Sequence, residues 1–305
     1  MVVKVILHVP ATTSNLGPGF DALGMALSLH STFEMDTDVQ RPEVNITGYG
    51  AETLPRDGRN LVLQVASDAL AQIGQKLPPV RLTQHNRVPL GSGLGSSSTA
   101  VVAGLALAQV LAGLPLDRQA ILDAACVIEG HPDNAAPCVM GGLVTAIWDG
   151  QRCEWLHLPI SPALGVVTCT PQLSLSTKLM RAALPREVDF EDAVHNGVHA
   201  CMLIGALATG RLELLHKAIS DRLHVPFRSP HIPGYTQVVA AAESAGALVA
   251  TISGAGPTVI ALIEQGNQQG AAVAQSMQAA FAHAGLQSVA HELTPRPQGM
   301  EIVVH

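Results

Sequence analysis

The sequence predicts an α+β protein that folds as two domains. Runs rich in β-branched residues alternate with segments of helical periodicity along the whole chain. Their spacing lacks the regular strand–helix alternation of a doubly wound parallel sheet. With 305 residues, 48% of them hydrophobic and 13% charged, the chain can bury an extensive core. A composition shift near residue 155 predicts domains at 1–155 and 156–305.

In the first half, β-branched runs predict strands at Val2–Val9, Glu43–Thr47, Val80–Thr83 and Leu143–Trp148. A helix is expected after Asn60, and a second, apolar helix after Ser98. A third begins at Asp117, which is a good N-cap, and ends at Gly130, which suits the left-handed position after a helix. The stretch Pro10–Gly24, rich in Gly, Pro and Asn, is expected to be a loop.

In the second half, the predicted strands are Leu164–Cys169, Ala247–Ile252, Val259–Ile263 and one within the tail Gly299–His305. The predicted helices are Thr177–Leu184, Phe190–Leu207, Arg211–Ile219, Tyr235–Glu243 and Gly270–Ala284.

Composition excludes several classes of partner. The formal net charge is −7 and no block of Lys or Arg occurs, so no nucleic-acid-binding face is expected. The uncharged stretches Thr99–Leu116 and Ala245–Ile263 are interrupted by Gly and Pro, which favours buried core over a membrane span. The five cysteines form no CxxC pair and the first residues show no cleavage site, so a cytoplasmic protein with reduced thiols is expected.

A Gly/Ser-rich loop, Pro89–Thr99, opens directly into an apolar helix. Its alternate glycines let a ligand approach the backbone, and the free N–H groups of a helix N-terminus attract anions. No Lys follows the last glycine, so the loop is not a Walker A motif, and the GxGxG spacing differs from the dinucleotide fingerprint. The loop therefore predicts a phosphate-binding site, against the alternative of a flexible turn.

Three further segments carry polar or glycine-rich patterns. The first loop holds Asn15 and Asp21, which suit a ligand with an ammonium and a hydroxyl, although both residues are also common in turns. The segment Glu129–Asn134 combines two carboxylates, an imidazole and an amide, but a solvated helix end would read the same way. The segment Thr251–Thr258 has glycines for close backbone approach, yet an ordinary hairpin fits it as well.

Together, these four segments resemble the signature motifs of the GHMP kinases. The matching stretches, in order, are PATTSNLGPGFDALGMAL, PLGSGLGSSSTA, EGHPDN followed by AAPCVMGGL, and SGAGPTVIAL. The resemblance runs over essentially the whole chain. It implies a ribosomal-S5-like amino-terminal domain, a ferredoxin-like carboxy-terminal domain and an active site between them. It also implies transfer of the ATP γ-phosphoryl group to a hydroxyl, and the motifs are most similar to those of members that act on L-homoserine. The family further suggests a homodimer.

The resemblance assigns nucleotide contacts to the Gly/Ser loop and to two residues outside it. The expected ATP-binding residues are Pro89, Leu90, Gly91, Ser92, Gly93, Leu94, Gly95, Ser96, Ser97, Ser98, Thr99, Asn60 and Thr177. Mg²⁺ usually takes phosphate oxygens and one or two protein oxygens. The expected protein ligands are Ser96 or Ser97 together with Glu129 or Asp123.

The resemblance also assigns the acceptor site. Arg181 and Arg228 are expected to bind a carboxylate, because a guanidinium matches it bidentately. The ammonium and hydroxyl are expected to meet Asn15, Asp21, His131 and Asn134. The expected catalytic residues are Asn134, Asp133 and Arg181. Asn134 would orient the hydroxyl while a phosphate oxygen takes the proton, with Asp133 as a true base the alternative.

Two other functions stay open from the sequence. Another GHMP kinase would phosphorylate mevalonate, shikimate or a sugar, and Asp21 would then have no ammonium to meet. A non-catalytic member would bind a small molecule without turnover, but it would be expected to lack the loop serines or the acidic metal ligand.

Overall fold

The computed structural model describes residues 3–266 and 269–304, within which two β-sheets and their helices form the fold. The strands in chain order are β1 Lys4–Ser14, β2 Leu23–Asp36, β3 Glu43–Gly48, β4 Arg81–Asn86, β5 Leu143–Trp148, β6 Cys153–Leu158, β7 Leu164–Pro171, β8 Val249–Ile252, β9 Val259–Glu264, β10 Ser288–Leu293 and β11 Glu301–Val304. The helices are α1 Leu61–Gln72, α2 Ser96–Leu111, α3 Arg118–Glu129, α4 Ala135–Met140, α5 Thr177–Ala182, α6 Phe190–Thr209, α7 Leu215–Ala218, α8 Val225–Arg228, α9 Tyr235–Ser244 and α10 Gln269–His283.

The first sheet is built around the 14-residue strand β2. Its main path runs β11-β1-β2-β4-β3, and β5 joins the start of β2 and carries β6 on its other side. The pairing of β1 with β2 shifts register between Pro10 and Thr12. Such an irregularity bends a strand. It lets β2 pair with β5 at Leu23–Met25 and with β4 at Thr32–Asp36.

Three strands were not expected from the sequence. The first is β2: its initial half is buried on both faces, so it lacks the alternation that marks a half-buried strand. The others are β6 and β10, which have mostly exposed or half-buried side chains. The predicted loop Pro10–Gly24 is also shorter than expected, because Pro10–Ser14 continues β1 and Leu23 begins β2.

The caps predicted for α1 and α3 are confirmed, whereas α2 begins at Ser96, within the segment predicted as loop through Ser98. Asn60 caps α1 through a bond from the Val62 N–H to its Oδ1 (3.1 Å), and Asp117 caps α3 through the Ala120 N–H (3.0 Å). Gly130 ends α3 in the left-handed region with φ 83°. The apolar sides of α1 to α4 cover one face of the first sheet and form the larger core.

The second sheet has the strand order β10-β7-β9-β8 and is antiparallel throughout. In chain order this is the βαββαβ arrangement of a ferredoxin-like fold, as expected. Helices α9 and α10 pack on it over a core that includes Val238, Met277 and Phe281. The chain then returns, and β11 pairs with β1 in the first sheet.

The remaining predictions differ in detail. The segment Arg211–Ile219 is not one helix: a 3₁₀ turn, Leu212–Leu214, is followed by the short α7. Short α4 and α8 were not expected. Residue 155 falls within β6, which pairs with β5, and the division of the chain there stays a prediction. Val2 and His305, at the ends of two predicted strands, lie outside the described residues.

The two stretches considered as membrane spans are core elements, α2 and the β8–β9 pair. No helix within the described parts of the chain combines the length and apolar character needed to cross a bilayer.

Candidate active site

The four segments meet at one cleft between the two sheets, with a cavity volume of about 100 Å³. The predicted residues that line it are Asn15, Asp21, Gly91, Ser92, Gly93, Gly95, Ser96, Ser97, Ser98, Glu129, His131, Asp133, Asn134, Thr177, Arg181 and Arg228.

The Gly/Ser loop is fixed by close backbone contacts on both sides. Gly93 and Gly95 have φ of 83° and 71°. A Cβ on Gly93 would lie 2.2 Å from the Ser253 carbonyl oxygen, and one on Gly95 would lie 2.0 Å from Thr12 Oγ1. Gly95 is the N-cap of α2 and offers no side-chain cap, so the first-turn N–H groups of this 16-residue helix are free to bind an anion.

The loop residues divide into two groups. Ser96, Ser97 and Ser98 form the first turn of α2 and line the cleft. Gly91, Ser92, Gly93 and Gly95 line it as well, whereas Pro89, Leu90, Leu94 and Thr99 are not among its lining residues. Leu94 is fully buried, Ser92 donates to the Pro89 carbonyl (2.8 Å), and Thr99 donates to the Ser96 carbonyl (2.8 Å).

Of the two acids considered as metal ligands, Glu129 lies beside the Gly/Ser loop. Its carboxylate accepts bonds from Ser97 Oγ (2.9 Å) and Ser98 Oγ (3.2 Å). Asp123 is not among the residues that line the cleft. Its Oδ1 instead accepts from Gln119 (2.9 Å) and from the Cys153 N–H (2.7 Å). A set of hard oxygen donors next to a phosphate site suits Mg²⁺, and only Glu129 completes one there.

The segment after α3 forms a buried polar network. His131 Nδ1 is hydrogen-bonded to Asp133, and Asp133 is 2% exposed. Burial would raise the pKa of Asp133, but the hydrogen bond and charge of His131, with a bond from Ser14, hold that pKa below its usual range. Burial opposes protonation of His131, yet the same bond and nearby carboxylates raise the pKa of the imidazole. Asp133 is therefore an anion at neutral pH.

Asn134 has its amide fixed in one orientation. Its Oδ1 accepts from Thr12 Oγ1 (2.8 Å), and its Nδ2 donates to Ser14 Oγ (2.9 Å). Both partners lie on β1, so the strand that precedes the first loop also sets the amide. A rigid amide suits orientation of a hydroxyl better than proton transfer.

The first loop holds Asn15 and Asp21 in the left-handed region, which residues other than glycine seldom adopt and which Asn and Asp tolerate best among them. Their φ values are 69° and 55°. Asn15 is buried; its Oδ1 accepts from the Asp21 N–H (2.9 Å), and its Nδ2 donates to the Gly254 carbonyl (2.9 Å). Strained conformations of this kind persist where the surroundings fix them, and they cluster at functional sites.

Two arginines from the second half of the chain face this loop. Arg181 forms a bidentate pair with Asp21, both bonds 2.9 Å long, and this bond raises the pKa of the guanidinium. Thr177 lies one turn before Arg181 on α5 and also lines the cleft. Oxygen or nitrogen atoms of Asp21, His131 and Asp133 lie within 4.8 Å of one another, so opposite charges alternate across this end.

Arg228 is 2% exposed and differs from Arg181 in its partners. Its guanidinium donates to the carbonyls of Gly254 (3.1 Å) and Met180 (3.4 Å). Among the described residues no carboxylate forms a salt bridge with it. Burial, and then the charge of Arg181, lower its pKa. A buried cation without a counter-ion is costly, so this position is suited to an anionic ligand group.

Asn60 does not line the main cleft. It is buried, caps α1 and exchanges hydrogen bonds with Gln84 (3.0 and 3.4 Å). It does line a neighbouring, mostly apolar cavity with Leu61, and this cavity shares Ser96 and Ser97 with the main cleft.

Sequence reasoning missed four residues that hold the site together: Thr12, Ser14, Ser253 and His224. The polar run Thr12–Ser14, at the end of an otherwise apolar strand, was the available signal for the first two. Ser253 Oγ lies 2.9 Å from Thr13 Oγ1 and 2.8 Å from the Gly93 carbonyl oxygen. It joins the segment Thr251–Thr258 to the Gly/Ser loop, which no pattern in either segment predicts.

Known proteins resemble this chain in sequence and in fold. Family models match at residues 60–142, described as the GHMP kinases N terminal domain, and at residues 203–283, described as GHMP kinases C terminal. A curated homoserine kinase from Moorella thermoacetica is 42% identical over 298 residues, covering 98% of this chain and 99% of the relative.

Solved structures agree with this. The crystal structure of homoserine kinase from Cytophaga hutchinsonii matches with a TM-score of 0.86 and 29% identity, covering 98% of this chain and 97% of that one. L. major mevalonate kinase in complex with R-mevalonate has a TM-score of 0.73 at 18% identity, with 96% of each chain covered, and so shares the fold. The two-domain fold is thus confirmed, and the chain belongs to the homoserine kinase family of the GHMP kinases.

Proposed function

We propose that this ATP-dependent kinase phosphorylates the side-chain hydroxyl of L-homoserine, giving O-phospho-L-homoserine in threonine biosynthesis. One observation favours this acceptor over other alcohols. The cleft presents a carboxylate, Asp21, and a buried arginine, Arg228, which forms no salt bridge within the described parts of the chain, so it offers complementary groups for an ammonium and a carboxylate on one small molecule. The homoserine kinases among its relatives support the same acceptor.

The triphosphate of ATP is proposed to lie along the Gly/Ser loop. The loop N–H groups and the first turn of α2 provide donors and a partial positive charge for its oxygens. The neighbouring cavity lined by Asn60 and Leu61 is continuous with this turn and is apolar enough for a nucleobase. Thr177 lines the same cleft as the loop and is a further proposed contact for phosphate.

Glu129 and Ser97 are the proposed protein ligands of Mg²⁺, with Ser96 a further oxygen on the same turn. Glu129 already lies 2.9 Å from Ser97 Oγ, so the two oxygens can share one small cation. When bound, Mg²⁺ would neutralise phosphate charge, which is a main requirement of phosphoryl transfer.

The charged groups of the acceptor are proposed to replace part of the contact between Asp21 and Arg181. Its ammonium would take over part of Asp21, with Asn15 beside it, and its carboxylate would bind Arg228 and the released face of Arg181. The hydroxyl would then point to Asn134 and His131, next to the phosphate loop. Because Arg181 carries an ionic bond in the free protein, a ligand with only one of the two charges would leave one partner unpaired.

We propose that a phosphate oxygen takes the proton of the hydroxyl, that no protein base is involved, and that Asn134 contributes by positioning the hydroxyl. A general base works best when its pKa is near the working pH, whereas the pKa of Asp133 is held low and its carboxylate is committed to His131. We expect Asp133→Asn to keep kcat within about tenfold of the wild type, since base catalysis contributes about 100-fold or more. A loss of 100-fold or more in a folded variant would instead assign the base role to Asp133.

A homodimer is proposed to form through α6. Four large apolar residues at four-residue spacing are exposed on it: Phe190 (83%), Val194 (47%), Val198 (59%) and Met202 (49%). Beside them runs a row of small exposed residues, Ala193, Gly197, Cys201 and Gly205. A ridge of large side chains next to a groove of small ones is self-complementary when two copies of a helix cross. Light scattering that finds a monomer would contradict this.

Two further assignments go with the proposed function. Residues 1–155 and 156–305 are proposed as its two domains, with the cleft between them. A cytoplasmic location is proposed, where ATP is available and where Cys126, Cys138, Cys153 and Cys169, all buried and free, would stay reduced.

A coupled assay of ADP release tests the proposed reaction. Purified protein is incubated with Mg-ATP and, separately, L-homoserine, mevalonate, shikimate and galactose. We expect turnover with L-homoserine and at least 100-fold lower kcat/KM for the other acceptors, because none of them carries an ammonium. Preference for another acceptor would identify a different GHMP kinase, and no turnover with any would favour a non-catalytic binding protein.

A further inference from the structure

Phe20 and His224 form a stacked pair directly behind the two arginines of the acceptor site. The ring centroids are 5.0 Å apart and the planes lie 24° from parallel. The guanidinium carbons of Arg228 and Arg181 lie 5.2 and 5.8 Å from the Phe20 centroid. At such distances an aromatic ring attracts and orients a cation. One aromatic side chain of the first loop thus contacts both cations that come from the second half of the chain.

His224 is fully buried and contacts the first loop and Arg228 through different ring nitrogens. Its Nε2 lies 2.8 Å from the Gly17 carbonyl oxygen, and its Nδ1 lies 3.5 Å from Arg228 Nη1. A carbonyl can only accept and a guanidinium can only donate. The ring must therefore carry its hydrogen on Nε2 and present the Nδ1 lone pair to Arg228, which describes a neutral histidine.

The charges around the ring agree with this neutral form. Burial lowers the pKa of His224; Asp221 opposes that shift, and Arg228 adds to it. The Asp221 carboxylate lies 3.9 Å from Nε2, too far for a hydrogen bond, and it accepts the N–H groups of His224 (2.9 Å) and Val225 (2.6 Å). Asp221 therefore fixes the backbone of the turn, whereas the ring itself connects Gly17 to Arg228.

The loop side of this connection is equally constrained. Gly17 has φ 73°, and a Cβ there would lie 2.3 Å from the Ile219 carbonyl oxygen. The first loop therefore rests on the backbone that leads into α8. Because Arg228 follows His224 by four residues on that short helix, both side chains lie on the same face.

We propose that His224, together with Phe20, is a positioning residue that orients Arg228 toward the carboxylate of the acceptor and couples it to the loop carrying Asn15 and Asp21. This rests on the proposed function. Two carbonyls accept from Nε and Nη1 of Arg228, and a guanidinium with no further restraint would lose the geometry that a bidentate carboxylate needs. The His224 lone pair and the Phe20 ring restrict it to one plane, and the neutral ring does so without adding a third positive charge.

The test is a double-mutant cycle on the kinetics of ADP release. His224→Gln keeps a donor for the Gly17 carbonyl, because the amide nitrogen of Gln can occupy the place of Nε2, but it removes the acceptor that faces Arg228. We expect KM for L-homoserine to rise about tenfold, consistent with loss of one long bond to a charged group. The expected kcat stays within about twofold and KM for ATP is unchanged. His231→Ala, at an exposed position in the following turn, is the matched control.

The second part of the cycle introduces His224→Gln into the Arg228→Met variant. If His224 acts through Arg228, His224→Gln should change KM by less than about twofold in that background. If His224→Gln raises KM for L-homoserine by the same factor in the wild type and in Arg228→Met, or if KM for ATP rises in parallel, the proposal is overturned and His224 has a general structural role. Phe20→Leu enters the same cycle, so the answer does not depend on the folding of one variant.

The two proposals fail separately. Absence of turnover with L-homoserine in the wild type would reject the proposed reaction. Turnover in the wild type with a defect in Arg228→Met but none in His224→Gln would reject the positioning role alone.

Discussion

Arg228→Met tests the electrostatic design of the acceptor site. In the free protein the buried guanidinium has carbonyl partners and, among the described residues, no carboxylate in a salt bridge with it. Methionine has a similar length and no charge, so it fills the same space. We expect the variant to bind the acceptor poorly and yet to fold normally, because the charge it loses is one that the fold does not use.

The expected loss can be worked out from the bonds involved. A fork of guanidinium and carboxylate provides two charge-assisted hydrogen bonds, each about 1.5–3 kcal/mol. The lower value for each gives about 3 kcal/mol, which corresponds to a rise of about 100-fold in KM for L-homoserine. For stability, the Gly254 carbonyl keeps its bond from Asn15 Nδ2, whereas the Met180 carbonyl loses a donor at a cost of about 1–3 kcal/mol, and removing a buried unpaired charge gives a gain of similar size.

Steady-state kinetics at saturating Mg-ATP, with thermal unfolding of the same samples, measure both quantities. Arg186→Met, which alters an exposed arginine outside the cleft, is the control and should match the wild type in KM. A KM for L-homoserine within threefold of the wild type would refute the assignment of Arg228 to the carboxylate. A large fall in melting temperature with unchanged KM would show that the guanidinium serves the fold instead.

Three further changes test other parts of the site. Glu129→Gln should lower kcat by about 100-fold at a fixed Mg²⁺ concentration, because it removes one anionic metal ligand. It should also raise the Mg²⁺ concentration that gives the half-maximal rate. An unchanged Mg²⁺ titration would contradict the ligand role. Gly95→Ala should raise KM for ATP by at least about tenfold, since its Cβ would lie 2.0 Å from Thr12 Oγ1 and displace the loop; normal ATP kinetics would show that the loop can yield. In the folded protein the pKa of His131 is raised and that of Asp133 is lowered, so the two are oppositely charged partners. Their ion pair stabilises the fold fully between about pH 3.9 and pH 6.5, the pKa values of Asp and His in the unfolded chain, and this stabilisation is lost as the pH rises through the folded pKa of His131. His131→Gln should therefore reduce the free energy of unfolding more at pH 5 than at pH 9 in urea titrations, and an equal reduction at both would contradict the ion pair.

Most candidate site residues could be predicted from the sequence, because they lie in short segments whose residue types by themselves indicate ligand binding. Asn15, Asp21 and the segment Glu129–Asn134 lie at or just after the end of a strand or helix, and polar side chains of complementary chemistry stand close together in the sequence there. The structure brings them to one cleft with Arg181 and Arg228, and their individual roles stay predictions. Between Glu129 and Asp123, residue type could not favour one metal ligand; position favours Glu129, since Asp123 is committed to Gln119 and the Cys153 backbone.

The fold was predicted less completely from the sequence than the site. Strands with alternating or β-branched patterns, such as β3 and β5, were expected, and so were the helices with caps at Asn60 and Asp117. Strand β2 was not predicted: its first half is buried on both faces and carries no alternation, although its second half, Leu27–Asp36, alternates and was an available signal. Strands β6 and β10 were not predicted because their side chains are mostly exposed or half-buried, so tertiary contacts rather than local preference define them.

The sequence by itself determined the phosphate loop. Alternate glycines, a run of serines and an apolar helix are local features, and their physics does not depend on the rest of the chain. The tertiary structure decided what surrounds that loop: Ser253 beneath Gly93, Thr12 against Gly95, and His224 joining Gly17 to Arg228. These contacts link residues up to 207 positions apart, and one chain without its fold carries no local signal for them.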